Sequence, residues 1–138
     1  MTAIRLEVQL DLDADSAWEV IGDFAAGPAR MAPGFVAKSL RDKDSPDLRE
    51  VTFTNGLVVR ERLVTRDDER RRIDYGVIGG TVTPEHDDAA LQVFPDGERS
   101  RLVWTRDVRP AELADQFRAA MEEGIQVIAR TLRAQPSS

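Results

Sequence analysis

Apolar and polar residues alternate from the start of the chain: Ile4, Leu6, Val8, Leu10 and Leu12 are interleaved with Arg5, Glu7, Gln9 and Asp11. A period of two predicts a strand with one buried face and one wet face. The period then lengthens. In "DADSAWEVIGDF", Trp18, Ile21 and Phe24 share one side of a short helix, with Asp13 as N-cap or Ser16 and Glu19 as an alternative capping box. "AAGPARMAPG" has room for one more helical turn before Pro33 and Gly34 end it.

Period two returns for most of the remaining chain. Strands are expected at 35–41, 48–54, 57–66, 70–78, 87–94 and 100–108. The breaks "DKDSPD", "NG", "DDE", "GGTVTPEH" and "PDGER" are turns by composition, and their hairpin length implies antiparallel neighbours. From Pro110 to Arg133 the period becomes helical. Leu113, Phe117, Met121, Ile128 and Leu132 form one stripe, with Ala120 and Gly124 on it. Roughly 24 residues at about 1.5 Å each predict a helix near 36 Å long. Glu112 and Asp115 near its start, and Arg130 and Arg133 near its end, suit the helix dipole.

This order implies an α+β domain spanning residues 1–134, with 135–138 as a disordered tail. Seven antiparallel strands, each with one wet face, must bury the other face. The long C-terminal helix is the one element large enough to cover it, so the sheet should curve around that helix. One or two short helices after strand 1 close an end. Gly124 in the gripping stripe has two open readings: it leaves volume for a cavity, or it lets helix and sheet approach closely.

Charge and composition act mainly by exclusion. A net charge of −6 argues against general nucleic-acid binding and against charge-driven docking on anionic membranes. The absence of cysteine rules out disulfides and thiolate chemistry, and a single histidine disfavours a zinc site. "MTAIRLEVQL" does not read as a signal peptide, and no apolar run approaches the roughly 20 residues that span a bilayer. The expectation is a soluble, cytoplasmic protein without integral membrane association, needing no metal or organic cofactor. No dimer-forming pattern is visible, which leaves monomer or homodimer.

Three stretches carry a resemblance: "SAWEVIGDFAAGPARMAPG", "REVTFTNGLVVRERLVTRDDERRRIDYGV" and "LQVFPDGERSRLVWTRDVRP". Together they cover nearly the whole chain. They resemble the START/Bet v 1-like superfamily, in its SRPBCC polyketide cyclase/dehydrase-like branch. The chain has Met31-Ala32-Pro33 where many relatives have Trp-x-Pro. The resemblance implies a helix-grip fold around a hydrophobic pocket and a small hydrophobic ligand. It implies no fixed catalytic set.

Within that frame Glu61 stands out. In "GLVVRERLV" the arginines 60 and 62 share one face, which leaves Glu61 on the apolar face with Val59 and Leu63. A buried carboxylate is paired, or it rises in pKa and can serve as a general acid or base. The alternatives are a structural ion pair, a wet rim position, or a bulge that turns it outward. Tyr75 shares a face with Ile73 and Val77, and pairing of 63 near 73 would place it beside Glu61. Trp104 and Arg106 alternate with Leu102, so Arg106 can meet Glu61 or a ligand carboxylate. His86 lies among Glu85, Asp87 and Asp88, which would favour its charged form. Arg70, Arg71 and Arg72 face Asp67, Asp68 and Glu69 as a self-neutralising turn. Phe24, Met31, Phe35, Phe53, Val59, Phe117 and Met121 are either pocket lining or plain core.

Three functions follow. The chain is a binding module for a lipid, polyketide or aromatic metabolite, held between sheet and helix. Or it is a cyclase/dehydratase-type enzyme using Glu61 and Tyr75, with His86 or Arg106. Or it is an interaction protein with a filled core.

Overall fold

The computed structural model describes residues 3–134; the tail expected at 135–138 lies outside them. Strand β1 (Ala3–Leu10) leads into α1 (Ala14–Ile21) and α2 (Gly27–Met31). Six strands follow: β2 (Val36–Arg41), β3 (Leu48–Phe53), β4 (Val58–Asp67), β5 (Arg72–Gly80), β6 (His86–Asp96) and β7 (Arg99–Arg109). Helix α3 (Glu112–Thr131) closes the chain. The sheet is antiparallel throughout, in the order β1-β7-β6-β5-β4-β3-β2. It curves around α3, which packs on β1 and β7, while α2 leans on β2.

Local chemistry accounts for the helix ends. Asp13 is the N-cap of α1, its carboxylate accepting from the Ser16 amide at 3.0 Å, so the capping-box alternative is not used. Helix α3 is shorter than its pattern implied: 20 residues, or about 30 Å, rather than Pro110–Arg133. The Leu113 and Ala114 amides bond to the Pro110 and Ala111 carbonyls, a tight turn that opens the helix. Its buried stripe is Ala114, Phe117, Met121, Gly124, Ile125 and Ile128. Ala120, expected on that stripe, is exposed. Successive positions turn by about a quarter of the circle, so the one-residue difference from Met121 is enough to leave the covered face.

The inward faces of the strands make the core with that stripe. Ile4, Leu10, Leu102, Val108 and Met121 are almost wholly excluded from water. Burial of each such side chain contributes about 1.5–3 kcal/mol. The β4–β5 hairpin departs from the expected register. Leu63 pairs with Tyr75 and Glu61 with Val77, not 63 with 73 and 61 with 75. The turn comes later than "DDE": Asp67 pairs with Arg72, and Arg71 adopts a left-handed φ of 52° to close the loop. Two bulges follow, with Val64 extra on β4 and Ile78 extra on β5. Neither bulge turns Glu61 outward.

Candidate functional site

Glu61 is 7% exposed, in the inward row of β4 next to Val59. Its partner comes from the neighbouring strand. Arg49 lies directly opposite on β3, itself 5% exposed, because Arg49, Val51 and Phe53 form the inward row of that strand. Glu61 Oε1 accepts from Arg49 Nε at 2.8 Å and lies 2.8 Å from Nη2. Arg49 Nη1 donates to the Phe24 carbonyl at 2.8 Å, and the guanidinium lies over the Phe24 ring at 4.3 Å. The second carboxylate oxygen, Oε2, accepts no hydrogen bond from the described residues. Arg49 was not singled out from the sequence, although the alternation that turned Glu61 inward does the same for Arg49.

Tyr75 is buried between two cations. Arg49 lies 5.0 Å and Arg106 5.5 Å from its ring centre. Its phenol oxygen accepts from Trp104 Nε1 at 2.9 Å, and its own O–H has no acceptor among the described residues. Burial pushes the phenol above its ordinary pKa, against the pull of Arg106 and Arg49, so Tyr75 is a neutral hydrogen-bond donor.

Arg106 faces inward from β7 but does not reach Glu61. It is held by Asp87, at 2.8 Å through Nε and 3.2 Å through Nη2. Asp87 also accepts from the Val77 amide at 2.8 Å. Its carbonyl packs against Gly76 in space that a Cβ would fill, which is why β5 has a glycine there. Burial raises the Asp87 pKa from its ordinary value against the attraction of Arg106. The Arg106–Glu61 pair, one of the two contacts open to Arg106 from the sequence, is not formed; two separate buried pairs stand instead, Arg49–Glu61 and Arg106–Asp87, on either side of Tyr75.

A cavity of about 60 Å³ lies between the sheet, α2 and α3. Met31, Phe35, Phe53, Trp104 and Gly124 line it, as do Glu61, Tyr75 and Arg49 at its polar end. Gly124 faces the cavity, and a Cβ there would lie 3.1 Å from the ring of Phe35, on the segment before β2, and at an ordinary contact distance of 3.5 Å from that of Trp104 on β7. Phe35 meets Phe53 edge-on at 5.3 Å. Phe24, Val59, Phe117, Met121 and Arg106 are buried but stand outside the cavity wall, Phe24 beneath Arg49 and Phe117 beneath Arg106.

His86 is not brought to this site. It begins β6 on the outward face, because Asp87, the next residue, points inward. The carboxylate beside it is Asp107 at 3.8 Å, not Asp87. The arginine run is also divided differently. Arg70 stays with Asp67, but Arg71 reaches Asp15 of α1 at 2.7 Å and Arg72 bonds to Asp74 on its own strand. Trp18 Nε1 donates to Asp68 at 2.9 Å, so the hairpin tip is tied to α1. Among the described residues no His, Cys, Asp or Glu group is arranged to hold a metal ion, and no helix is long and apolar enough to cross a membrane.

Comparison with known proteins fits this geometry. The XoxI protein of Bacillus cereus superposes with a TM-score of 0.83 at 16% identity, covering 96% of each chain. An uncharacterised protein of Bacillus thuringiensis has a TM-score of 0.83 at 15% identity, covering 94% of this chain and 98% of that one. A Thermobifida fusca protein has a TM-score of 0.75 at 24% identity over the full length of both. At these identities the likeness is one of fold. No curated protein matches the chain. The family model described as polyketide cyclase/dehydrase and lipid transport matches residues 1–134, and the chain belongs to that family.

Proposed function

We propose that this chain binds a small hydrophobic molecule between its sheet and α3, with the ligand's polar end at Tyr75 and Glu61. The observation that carries this reading is the cavity itself. Apolar side chains form its walls, and two unused hydrogen-bonding positions, the Tyr75 O–H and Glu61 Oε2, stand at one end. That is the usual make-up of a small-molecule site. Family membership supports the same reading.

The volume sets a condition. At about 60 Å³ the cavity is well short of the roughly 150 Å³ of an apolar cavity that takes up a benzene. Binding therefore requires the wall to yield. Phe35 is the side chain to move: it is half-buried, lies on the short segment between α2 and β2, and follows Gly34 at φ 87°. Apart from Ala32 on the same segment, the other wall residues belong to packed strands, to α2 or to α3.

The same small volume favours a second reading, a filled-core protein that acts through its surface. An acid–base role for Glu61 and Tyr75 has weaker support, because Arg49 holds the carboxylate and burial keeps the phenol protonated. Titration with propylbenzene, followed through the two indole N–H resonances, separates the first two readings. Saturable movement of the Trp104 resonance, with that of Trp18 unmoved, is the expected result. No movement of either resonance with propylbenzene, nor with its hydroxylated analogue 4-propylphenol, refutes cavity binding.

A further inference from the structure

We infer that the cavity selects a neutral ligand carrying a hydroxyl group, and discriminates against carboxylates. The inference rests on the binding reading above and adds the chemical class of the ligand.

The argument begins with charge. Two ionic side chains reach the cavity, Arg49 and Glu61, and they are already paired at 2.8 Å. The remaining donors of Arg49 are partly committed to the Phe24 carbonyl. The other inward cation near Tyr75, Arg106, is taken by Asp87, whose side chain is 0% exposed. An incoming carboxylate would lose its hydration and meet no free cation. It would also approach the open oxygen of Glu61, a like charge in a low-dielectric setting.

Hydrogen-bond capacity points to the class of ligand that does fit. Tyr75 offers a donor, since its oxygen already accepts from Trp104 while its hydrogen is unclaimed. Glu61 Oε2 offers an acceptor. A hydroxyl group on the ligand can accept from the first and donate to the second. A phenol or enol does this while its ring packs on Phe35, Phe53 and Trp104. A hydrocarbon fills the walls but leaves both polar positions unmet, which costs affinity once water is displaced.

The test compares 4-propylphenol, 4-propylbenzoate and propylbenzene, probes that share a propylphenyl frame, at neutral pH through the Trp104 indole resonance. The phenol is expected to bind about tenfold more tightly than either of the others, the size of one buried hydrogen bond to a charged acceptor. Tyr75→Phe is expected to weaken the phenol and, by removing one of the unmet polar positions, to leave propylbenzene bound at least as tightly. Glu61→Gln leaves Arg49 without its counterion and should shift preference toward the benzoate. Circular dichroism checks the fold of each variant, and the wild-type and Tyr75→Phe comparisons suffice if Glu61→Gln does not fold. Benzoate binding as tightly as the phenol, or a phenol preference unaltered in Tyr75→Phe, overturns the inference while leaving cavity binding intact. Failure of all three probes to bind overturns the binding reading and this inference with it.

Discussion

Arg49 and Glu61 face each other across the β3–β4 pair, and a single carboxylate oxygen of Glu61 meets both Nε and Nη2 of the guanidinium at 2.8 Å. Both residues are more than nine-tenths buried. Removing one partner from such a pair leaves a bare charge in the core and costs about 3–5 kcal/mol, while removing both is often close to neutral. Arg49→Leu and Glu61→Leu should therefore each lower stability by about that amount, and the double variant should recover most of the loss. Urea denaturation of the four proteins measures the coupling. Additive losses would mean that the two side chains do not depend on each other.

Much of this arrangement is legible in the sequence. Alternation in "GLVVRERLV" places Glu61 inward, and the structure does so. The same rule applied to "LREVTF" turns Arg49 inward, yet an arginine between a leucine and a glutamate does not stand out as a core residue. The cross-strand register was not legible. It depends on Arg71 adopting a left-handed backbone and on bulges at Val64 and Ile78, and nothing in side-chain alternation marks any of these. Asp87 was hidden for another reason: in "PEHDDAA" no apolar row shows which of two adjacent aspartates is buried. The choice is made by the pairing of β6 with β7, which sets Ala89 opposite Arg106.

Tyr75 is the protein's single tyrosine, so phenolate absorbance reports on it alone. Its pKa in the folded state is raised by burial. The folded chain therefore holds its proton more tightly than the unfolded chain does. The resulting stability is fully present below the ordinary tyrosine pKa of about 10 and is lost as pH rises through the folded value. The expected outcome is little phenolate at pH 10, then its appearance together with loss of the folded circular dichroism signal. Titration at the ordinary value with the fold intact would contradict a buried phenol.

Asp74 should show the opposite sign. Burial works against its charge, but hydrogen bonds from Arg72 and Thr65 prevail and hold its pKa below the ordinary 3.8. Its contribution is present above that value and is lost as pH falls through the folded pKa. Asp74→Asn should therefore flatten the acid end of the stability profile and leave the alkaline end unchanged. Urea midpoints across the acid range test this.

Gly124→Ala puts a methyl group into the cavity, 3.1 Å from Phe35. Alanine is the better helix former by about 1 kcal/mol, and Phe35 lies on a loop that can give by a few tenths of an ångström. Stability should rise by less than about 1 kcal/mol while affinity for apolar probes falls. Phe35→Ala should do the reverse. It enlarges the cavity and tightens binding, at a cost below the roughly 3–5 kcal/mol of a fully buried phenylalanine. Denaturation midpoints and probe titrations of the two variants give both quantities.

The most direct measurement is native mass spectrometry of the chain, purified without detergent and examined before and after incubation with a lipophilic extract of its host cells. The account predicts a one-to-one adduct of a small lipophilic molecule, greatly reduced in a folded Gly124→Leu variant whose side chain fills the cavity. The bare chain mass under every condition, or an adduct equally abundant in Gly124→Leu, would contradict it.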